Sequence, residues 1–284
     1  MDAIKITFIT PCFCRGADCS DDGRPEIRPA SIRGQLRWWF RALGGIPEDE
    51  KTVFGGVHGE ATASKLVVRV KLGDKPAENF HATLPHKQGG RAASKKAFSP
   101  GTSFELLLSW RLGGVDAKLR ERFDRALEAW LHLGALGLRA TRGGGNFRWE
   151  GQPGDPGRYA ERVRDLTKNT EIVAGLLNGK VFPNAEAARK VITDTLDEEQ
   201  FSGFNRPLGG IKKPRGRKAS PLRFRVMSFD DGGFRIAAVW DGREKVTGNK
   251  EGDLRRAIDA LTAGGKGGNV HEIGGLLKNS GLYR

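Results

Sequence analysis

The sequence has few cysteines, no long apolar run, and one long basic stretch without a single acid. Its cysteines, Cys12, Cys14 and Cys19, are odd in number and lie close together. This pattern excludes the disulfide framework of a small secreted domain and favours a reducing cytoplasm. No apolar run approaches the roughly 20 residues that cross a bilayer, and no signal-peptide pattern is visible. We therefore expect a cytoplasmic protein with no membrane partner.

Acidic residues are too few to balance the basic ones. The 284 residues include 48 lysines and arginines against 34 aspartates and glutamates, a net charge of +14. Such an excess favours a polyanionic partner, most often nucleic acid. At about 150 residues per domain, the length predicts two domains, which we place at residues 1–150 and 151–284.

The first half predicts an α+β domain. Strand patterns cover residues 4–10, 65–71, 103–110 and 146–150, and amphipathic helices cover residues 31–43 and 116–133. The order β-α-β-β-α-β is that of the ferredoxin-like, RRM-like fold. Residues 83–100 are polar and basic, and they predict either a disordered loop or a basic finger that orders on RNA.

The second half predicts a degenerate copy of the same fold. Helical patterns occupy residues 158–199, and a strand pair covers residues 221–229 and 234–241. Helices follow from residue 253 and near the C-terminus. No sequence repeat accompanies this copy, so the prediction depends on element order.

Pro25–Leu43 is the most informative segment. Ser31 is a natural helix cap, and the following helix turns Ile32, Leu36 and Trp39 inward. A second stripe lies beside this apolar one and consists of Arg33, Arg37 and Arg41, with Gly34 near its edge. The amides of the first helical turn add an attraction for phosphate. The segment predicts contact with an anion, or else an ordinary core helix whose exposed flank uses arginine.

Arg206–Arg225 is the acid-free basic stretch. Its prolines and glycines favour a loop that runs into a strand. The candidate phosphate contacts within it are Lys212, Lys213, Arg215, Arg217 and Lys218. Several such contacts predict strongly salt-dependent binding, whereas the alternative is a solvated run of charge.

A second loop combines glycine with arginine. Arg139 and Arg142 precede Gly143, Gly144 and Gly145, and Arg148 follows on a strand. Glycine amides that face a phosphate, with arginines on either side, would cradle it, while the alternative is a helix-terminating turn. The spacing is not that of a dinucleotide fingerprint. Aromatic residues among these arginines either stack on unpaired bases or pack in the core: Trp38, Phe147 and Trp149.

Metal and catalytic signals are weak. The three cysteines with His58 or His86 match no common zinc spacing. The histidines are scattered away from the glycine-rich loops, and Asp18, Asp21 and Asp22 suit turns better than a metal site. We expect no cofactor, no metal and no catalytic residue, although a role of the cysteines in metal binding stays open.

Five segments of the chain form a recognisable series: TPCFCRGAD (residues 10–18), PEIRPASIRGQLRWWFRAL (25–43), VFGG (53–56), GLRATRGGGNF (137–147) and RKASPLRFRV (217–226). Together they resemble the RAMP superfamily of CRISPR effector subunits, and among these the first subunits of Cmr (type III-B) complexes. The chain departs from the family where Arg15 replaces a usual glycine and where the glycine loop has fewer arginines.

The resemblance implies two ferredoxin-like domains and a non-catalytic subunit of an antiviral ribonucleoprotein. Such a subunit binds guide RNA near its 3′ end and contacts target RNA and other RAMP subunits, while a different subunit cleaves the target. Carried onto this chain, Arg33, Arg37 and Arg41 would contact the RNA backbone, and Arg142 with Gly143–Gly145 would cradle phosphate. Arg15 is a further candidate RNA contact. Two alternatives are a metal-independent endoribonuclease that processes CRISPR RNA on the same fold, and a ribosome-type structural protein.

Overall fold

The computed structural model describes residues 2–18, 20, 22–57, 59–73, 75–87, 93–196, 210–212, 216–218, 220–243, 246 and 251–262. The strands are β1 (Asp2–Phe8), β2 (Leu66–Leu72), β3 (Glu78–Ala82), β4 (Ser94–Phe98), β5 (Ser103–Trp110), β6 (Phe147–Trp149), β7 (Ile172–Phe182), β8 (Gly210–Lys212), β9 (Gly216–Lys218), β10 (Arg223–Ser228) and β11 (Phe234–Asp241). The helices are α1 (Pro29–Ala42), α2 (Pro47–Phe54), α3 (Ala117–Leu133), α4 (Pro156–Thr167), α5 (Ala185–Thr195) and α6 (Glu251–Thr262). None of the helices in this described part is both long and apolar enough to cross a membrane.

The first sheet has the strand order β2-β5-β1-β6, and all of its neighbouring strands are antiparallel. Ile6 on β1 lies opposite Phe104 on one side and Trp149 on the other, and all three are buried. Because side chains alternate along a strand, this register gives one apolar face. That face forms a core with the buried sides of α1 and α3.

The second sheet has the order β10-β11-β7 and is buried on both faces. One face, which includes Met227 and Val239, belongs to the core of the first sheet. The other face, which includes Val226 and Trp240, packs with α5 and α6. The predicted α+β class is confirmed, whereas the division at residue 150 stays a prediction, because the main core draws on both sides of it.

The basic insertion is partly ordered into a hairpin. Strands β3 and β4 pair antiparallel, with Glu78 opposite Phe98, so the expectation of a disordered loop is wrong for the described residues of 83–100. Phe98 is buried, and its amide and carbonyl exchange hydrogen bonds with Cys12. This docking gives the hairpin an apolar anchor that its polar composition concealed.

The prediction of helices throughout residues 158–199 is also wrong in part. Helices α4 and α5 lie in this range, but β7 separates them. Ile172, Val173, Ala174 and Leu176 are all buried, because the strand is covered on both faces. A strand of this kind reads as a continuous apolar run without alternation, and such a run is easily mistaken for helix.

Arg225 joins the two sheets across the shared core. Its side chain on β10 is 1% exposed and donates to the carbonyl oxygens of Leu131 (2.9 Å) and Phe147 (3.0 Å). The guanidinium lies 4.7 Å from the centre of the Phe147 ring. Burial lowers the pKa of Arg225 to about 10, so the group remains charged at neutral pH.

His132 lies in the same region and is neutral at pH 7. It is buried against the rings of Trp149 and Tyr159, and Tyr159 donates its hydroxyl proton to the His132 carbonyl at 2.5 Å. Burial lowers the pKa of His132 from 6.5 to about 4. Acidification should therefore lower the free energy of unfolding through this residue.

We predict that stability falls as the pH drops from 7 to 5. In this range the unfolded chain protonates His132 and the folded chain does not, which lowers the free energy of unfolding by about 2 kcal/mol. Urea denaturation at the two pH values should show this loss, and His132→Phe should reduce it. The matched control is His86→Gln on the insertion. An unchanged pH dependence in His132→Phe would contradict the prediction.

Candidate nucleic-acid interface

Glu50 on α2 holds two of the three stripe arginines of α1. It is 7% exposed and accepts hydrogen bonds from Arg37 Nε and from Arg41 Nε and Nη2, the last at 2.6 Å. Arg37 Nη2 also donates to the Gly55 carbonyl at 2.8 Å. These bonds lower the pKa of Glu50 and raise that of Arg41. The arginines therefore fix α2 against α1 before they meet any ligand.

The VFGG segment (residues 53–56) contributes a backbone carbonyl to this network of hydrogen bonds. Gly55 ends α2 with φ of 76°, and a Cβ there would lie 2.8 Å from the Thr62 carbonyl oxygen. Only glycine fits such a conformation in that space without strain. Its carbonyl is thereby aimed at Arg37, so the motif has a structural role that its spacing did not reveal.

The remainder of the stripe faces solvent. Arg33 and Gly34 are exposed, and nothing lies within 4 Å of a Cβ placed on Gly34. Arg37 and Arg41 carry two positive charges against the single negative charge of Glu50. The patch thus keeps a net positive charge although two of its arginines are paired with Glu50, and Arg33 is exposed beside them.

The three aromatic candidates for base stacking pack against other residues of the protein. Arg223 lies over the Trp38 ring, 4.4 Å from its centre, and Trp39 meets it edge-on at 4.9 Å. Phe147 and Trp149 are buried in the core. The interpretation of Phe147 and Trp149 as base-stacking residues is therefore wrong, since no base can reach a ring in the core.

The glycine loop is a buried turn. Gly144 donates its amide proton to the Arg139 carbonyl, and Gly145 donates to the Pro11 carbonyl, both at 2.9 Å. Gly143 and Gly145 have φ of 73° and 62°, and a Cβ on Gly145 would collide with the Leu136 carbonyl. The amides of Gly144 and Gly145 thus cannot also donate to a phosphate, and the predicted cradle does not form through them.

The arginines around this loop have distinct positions. Arg139 has a left-handed backbone with φ of 61°, which is uncommon for a residue with a side chain. It leads into the short 3-10 turn Ala140–Arg142, and both arginines are half-buried. Arg148 makes an ion pair with Asp230 in the turn between β10 and β11.

A cavity of about 400 Å³ opens at the start of α1, next to the glycine loop. Its apolar walls are Phe13, Cys14, Ile27, Ile32, Leu136 and Leu138. Its polar lining consists of Arg15, Glu26, Arg28, Ser31 and Lys95. Three basic residues against one acid make this cavity a cationic site, and it brings together the first sequence motif, the start of α1, the insertion and the approach to the glycine loop.

The cavity is held open by short backbone contacts. Leu138 donates its amide proton to the Phe13 carbonyl at 3.0 Å. Arg15 Nη1 donates to the carbonyls of Ser20 and Gly23, the latter at 3.1 Å, so Arg15 also orders the loop before α1. Ligand contact by Arg15 would therefore come in addition to this structural role.

The predicted cap of α1 is wrong. The helix begins at Pro29 with Arg28 as its N-cap, and Ser31 lies in its first turn, on the cavity wall. Pro29 has no amide proton, and the amides of Ser31 and Ile32 both donate to the Arg28 carbonyl. The first turn therefore offers fewer amides to a phosphate than the sequence suggested, and side chains must supply most of the attraction.

The acid-free stretch is described only in part. Lys212, Arg217 and Lys218 lie in the antiparallel hairpin of β8 and β9, while Lys213 and Arg215 lie outside the described residues. Cys12 and Cys14 are buried with their sulfur atoms 2.8 Å apart, and Cys19 and His58 lie outside the described residues. Within the described part, no group of three or more His, Cys, Asp or Glu residues could hold a metal ion.

Sequence reasoning missed four residues of this region: Glu26, Arg28, Glu50 and Lys95. Glu26 and Arg28 belong to the quoted PEIRPAS segment, in which the apolar and arginine stripes of the helix dominate the pattern. Lys95 lies in the insertion, for which the sequence leaves a disordered loop open. Glu50 is acidic and is buried in its ion pairs with α1, and no local pattern predicts this, because acids are almost never fully buried unless they are paired.

The histidines in the described part of the chain lie outside the lining of the cavity. None of His81, His86 and His132 lines it, and His132 is buried in the core. A metal-independent ribonuclease needs a general base within reach of the attacking ribose hydroxyl. The described lining of this cavity includes no histidine.

Comparisons with known sequences point to one family. A sequence model of the RAMP superfamily matches residues 5–148. The CRISPR system Cmr subunit Cmr1-2 of Pyrococcus furiosus is 29% identical over 185 residues, which are 50% of this chain and 91% of that protein. Cmr1-1 of the same organism is 29% identical over 145 residues, which are 44% of this chain and 40% of that protein.

Solved structures share the fold. The crystal structure of Cmr1 from Pyrococcus furiosus in its apo form matches with a TM-score of 0.55 and 19% identity, covering 84% of this chain and 88% of that one. A chain of the type III-B Cmr-beta complex bound to cognate target RNA matches with a TM-score of 0.56 and 10% identity, covering 92% and 98%.

We predict that Glu50→Gln weakens the packing of α2 on α1. The neutral amide loses the charge-assisted bonds to Arg37 and Arg41, and the free energy of unfolding at pH 7 should fall by about 1–3 kcal/mol. Because the folded pKa of Glu50 is lowered, its contribution is present above pH 4.5 and is lost as the pH falls further. Urea denaturation should therefore show a smaller acid destabilisation in Glu50→Gln. Glu48→Gln, exposed on the same helix, is the control, and equal effects of the two variants would contradict the network.

Proposed function

The chain belongs to the RAMP superfamily, and on that basis we propose that it is a non-catalytic, RNA-binding subunit of a Cmr-type (type III-B) CRISPR effector complex. Its partners would be the guide RNA near its 3′ end, the single-stranded target RNA, and neighbouring RAMP subunits. The observation that carries this proposal is the cationic cavity beside α1, because its lining brings together three of the five segments through which the sequence resembles the family, those at residues 10–18, 25–43 and 137–147.

The fold supports the same proposal. The first sheet, in the order β2-β5-β1-β6, has the connectivity of a βαββαβ unit with the β3–β4 hairpin inserted. The second sheet, in the order β10-β11-β7, follows the same path with one strand fewer among the described residues. We therefore interpret the chain as two ferredoxin-like units, the second of them degenerate.

The proposed RNA contacts fall into two groups. Arg15, Arg28 and Lys95 line the cavity, and Arg33 is exposed on the helix that begins there. Arg139 and Arg142 border the glycine loop that follows the cavity wall. Side chains of both groups would neutralise backbone phosphates and release counterions, so affinity should fall steeply with salt. Arg37 and Arg41 would add to the local positive potential while bound to Glu50.

We predict that removing two of these cations weakens RNA binding and its salt dependence together. Arg28→Ala combined with Arg33→Ala should lower the affinity for a 12-nucleotide uridine RNA by about 10- to 100-fold. The slope of log affinity against log salt should decrease by about 1.4, which is two contacts at about 0.7 each. Fluorescence anisotropy between 50 and 300 mM salt measures both quantities.

The control is a charge-matched pair away from the cavity. Arg69→Ala on β2 combined with Lys118→Ala on α3 removes two exposed cations that do not line it. This variant should keep most of the affinity and of the slope. If both double variants weaken binding equally, RNA affinity depends only on the net charge of the protein, and the assignment of the site is wrong.

We also predict which RNA accompanies the protein in its own host. Purification of the tagged chain at native level should yield short repeat-spacer RNAs with defined ends, together with other RAMP subunits. Sequencing of the bound RNA ends would test this expectation. Ribosomal RNA, or no RNA above the level of an untagged strain, would overturn the guide-binding role and favour a general RNA-binding protein.

A further inference from the structure

Glu26 is an unexpected residue in a cationic cavity. It lines the same wall as Arg28 and Ser31, it is exposed, and among the described residues it makes no hydrogen bond or ion pair. Its carboxylate lies against Gly16, where a Cβ would collide with it. A site built only for phosphate gains nothing from a carboxylate, because the two anions repel. The acid therefore points to a ligand that also carries hydrogen-bond donors.

The lining of the cavity defines such a ligand. Arg28 and Lys95 suit an anionic group, and the ionised carboxylate of Glu26 can only accept hydrogen bonds. The apolar part of the lining, which includes Ile27 and Leu136, favours a flat, weakly polar body. A nucleotide combines these three properties, since it has a phosphate, a base with N–H groups, and aromatic faces.

The cavity has the size and rigidity for one nucleotide. Its volume of about 400 Å³ lies within the usual range for small-molecule sites. Its wall is fixed by close backbone packing, since a Cβ on Gly137 would lie 2.8 Å from the carbonyl carbon and oxygen of Phe13. A cavity held open in this way does not need to form when the ligand arrives, so less ordering entropy is lost on binding.

We propose that this cavity binds a single unstacked guanine nucleotide of the RNA, with Glu26 accepting hydrogen bonds from the base. The inference rests on the RNA-binding role proposed above. Guanine presents two adjacent donors, N1–H and N2–H, to the two oxygens of a carboxylate. Adenine and cytosine present one amino group and uracil a single imide N–H, so each leaves one carboxylate oxygen without a partner. The cavity thus gives a base preference to a surface that otherwise binds backbone.

The test uses the full chain and nucleoside monophosphates, measured by isothermal titration calorimetry. Guanosine monophosphate should bind at least about tenfold more tightly than the adenosine, cytidine and uridine monophosphates. Glu26→Gln should reduce this preference to below about threefold, because the amide replaces one acceptor by a donor. Arg28→Ala should weaken the binding of guanosine monophosphate but leave the binding of guanosine unchanged, because the substitution removes only the phosphate contact.

The control and a second RNA separate the two proposals. Glu60→Gln, an exposed acid that does not line the cavity, should leave the guanine preference intact. If the uridine 12-mer binds with a steep salt dependence but the four monophosphates bind alike, the guanine site is wrong and RNA binding stands. If neither the 12-mer nor any monophosphate binds, both proposals fail. If the guanine preference persists in Glu26→Gln, another residue recognises the base and the role proposed for Glu26 is wrong.

Discussion

The buried guanidinium of Arg225, which forms no ion pair with any residue that the structure describes, connects the second sheet to the first through hydrogen bonds. Isolating the guanidinium of Arg225 from water would cost several kcal/mol if nothing replaced the lost hydration. The carbonyl of Leu131, in the last turn of α3, and the carbonyl of Phe147 replace it, and the Phe147 ring adds its negative face. The C-terminal end of a helix carries partial negative charge, so α3 is a suitable place for a cation.

The cavity depends on this junction although Arg225 is not part of it. On the strand that carries Arg225, the amide of Val226 donates to the Asn146 side chain at 2.8 Å. Asn146 follows Gly145 directly, and the Gly145 carbonyl accepts the amide proton of Leu136 at 3.0 Å. Leu136 is a wall of the cavity. A continuous set of hydrogen bonds therefore links the second sheet to the proposed RNA site, so substitutions in β10 are expected to alter a site that they do not touch.

Local features of the fold were predictable from the sequence, and distant pairings were not. The inward stripe of α1 follows from a spacing within a few turns, and Ile32, Leu36 and Trp39 are indeed buried. The pairing of Arg37 with Glu50 depends on how α2 turns back on α1, which no periodicity encodes. The cavity combines residues from segments far apart in sequence. The prediction of helix where β7 lies was wrong for a different reason. Burial on both faces removes the alternation of apolar and polar residues that identifies a strand.

The shared core has a consequence for the way in which the chain is made. Met227 and Val239 complete an apolar layer most of whose other members lie between residues 6 and 176. As the ribosome releases the first half, that layer remains open to water until β10 and β11 have also emerged. The nascent chain therefore carries an exposed apolar face until β10 and β11 have emerged, because the first half alone leaves that face without its cover.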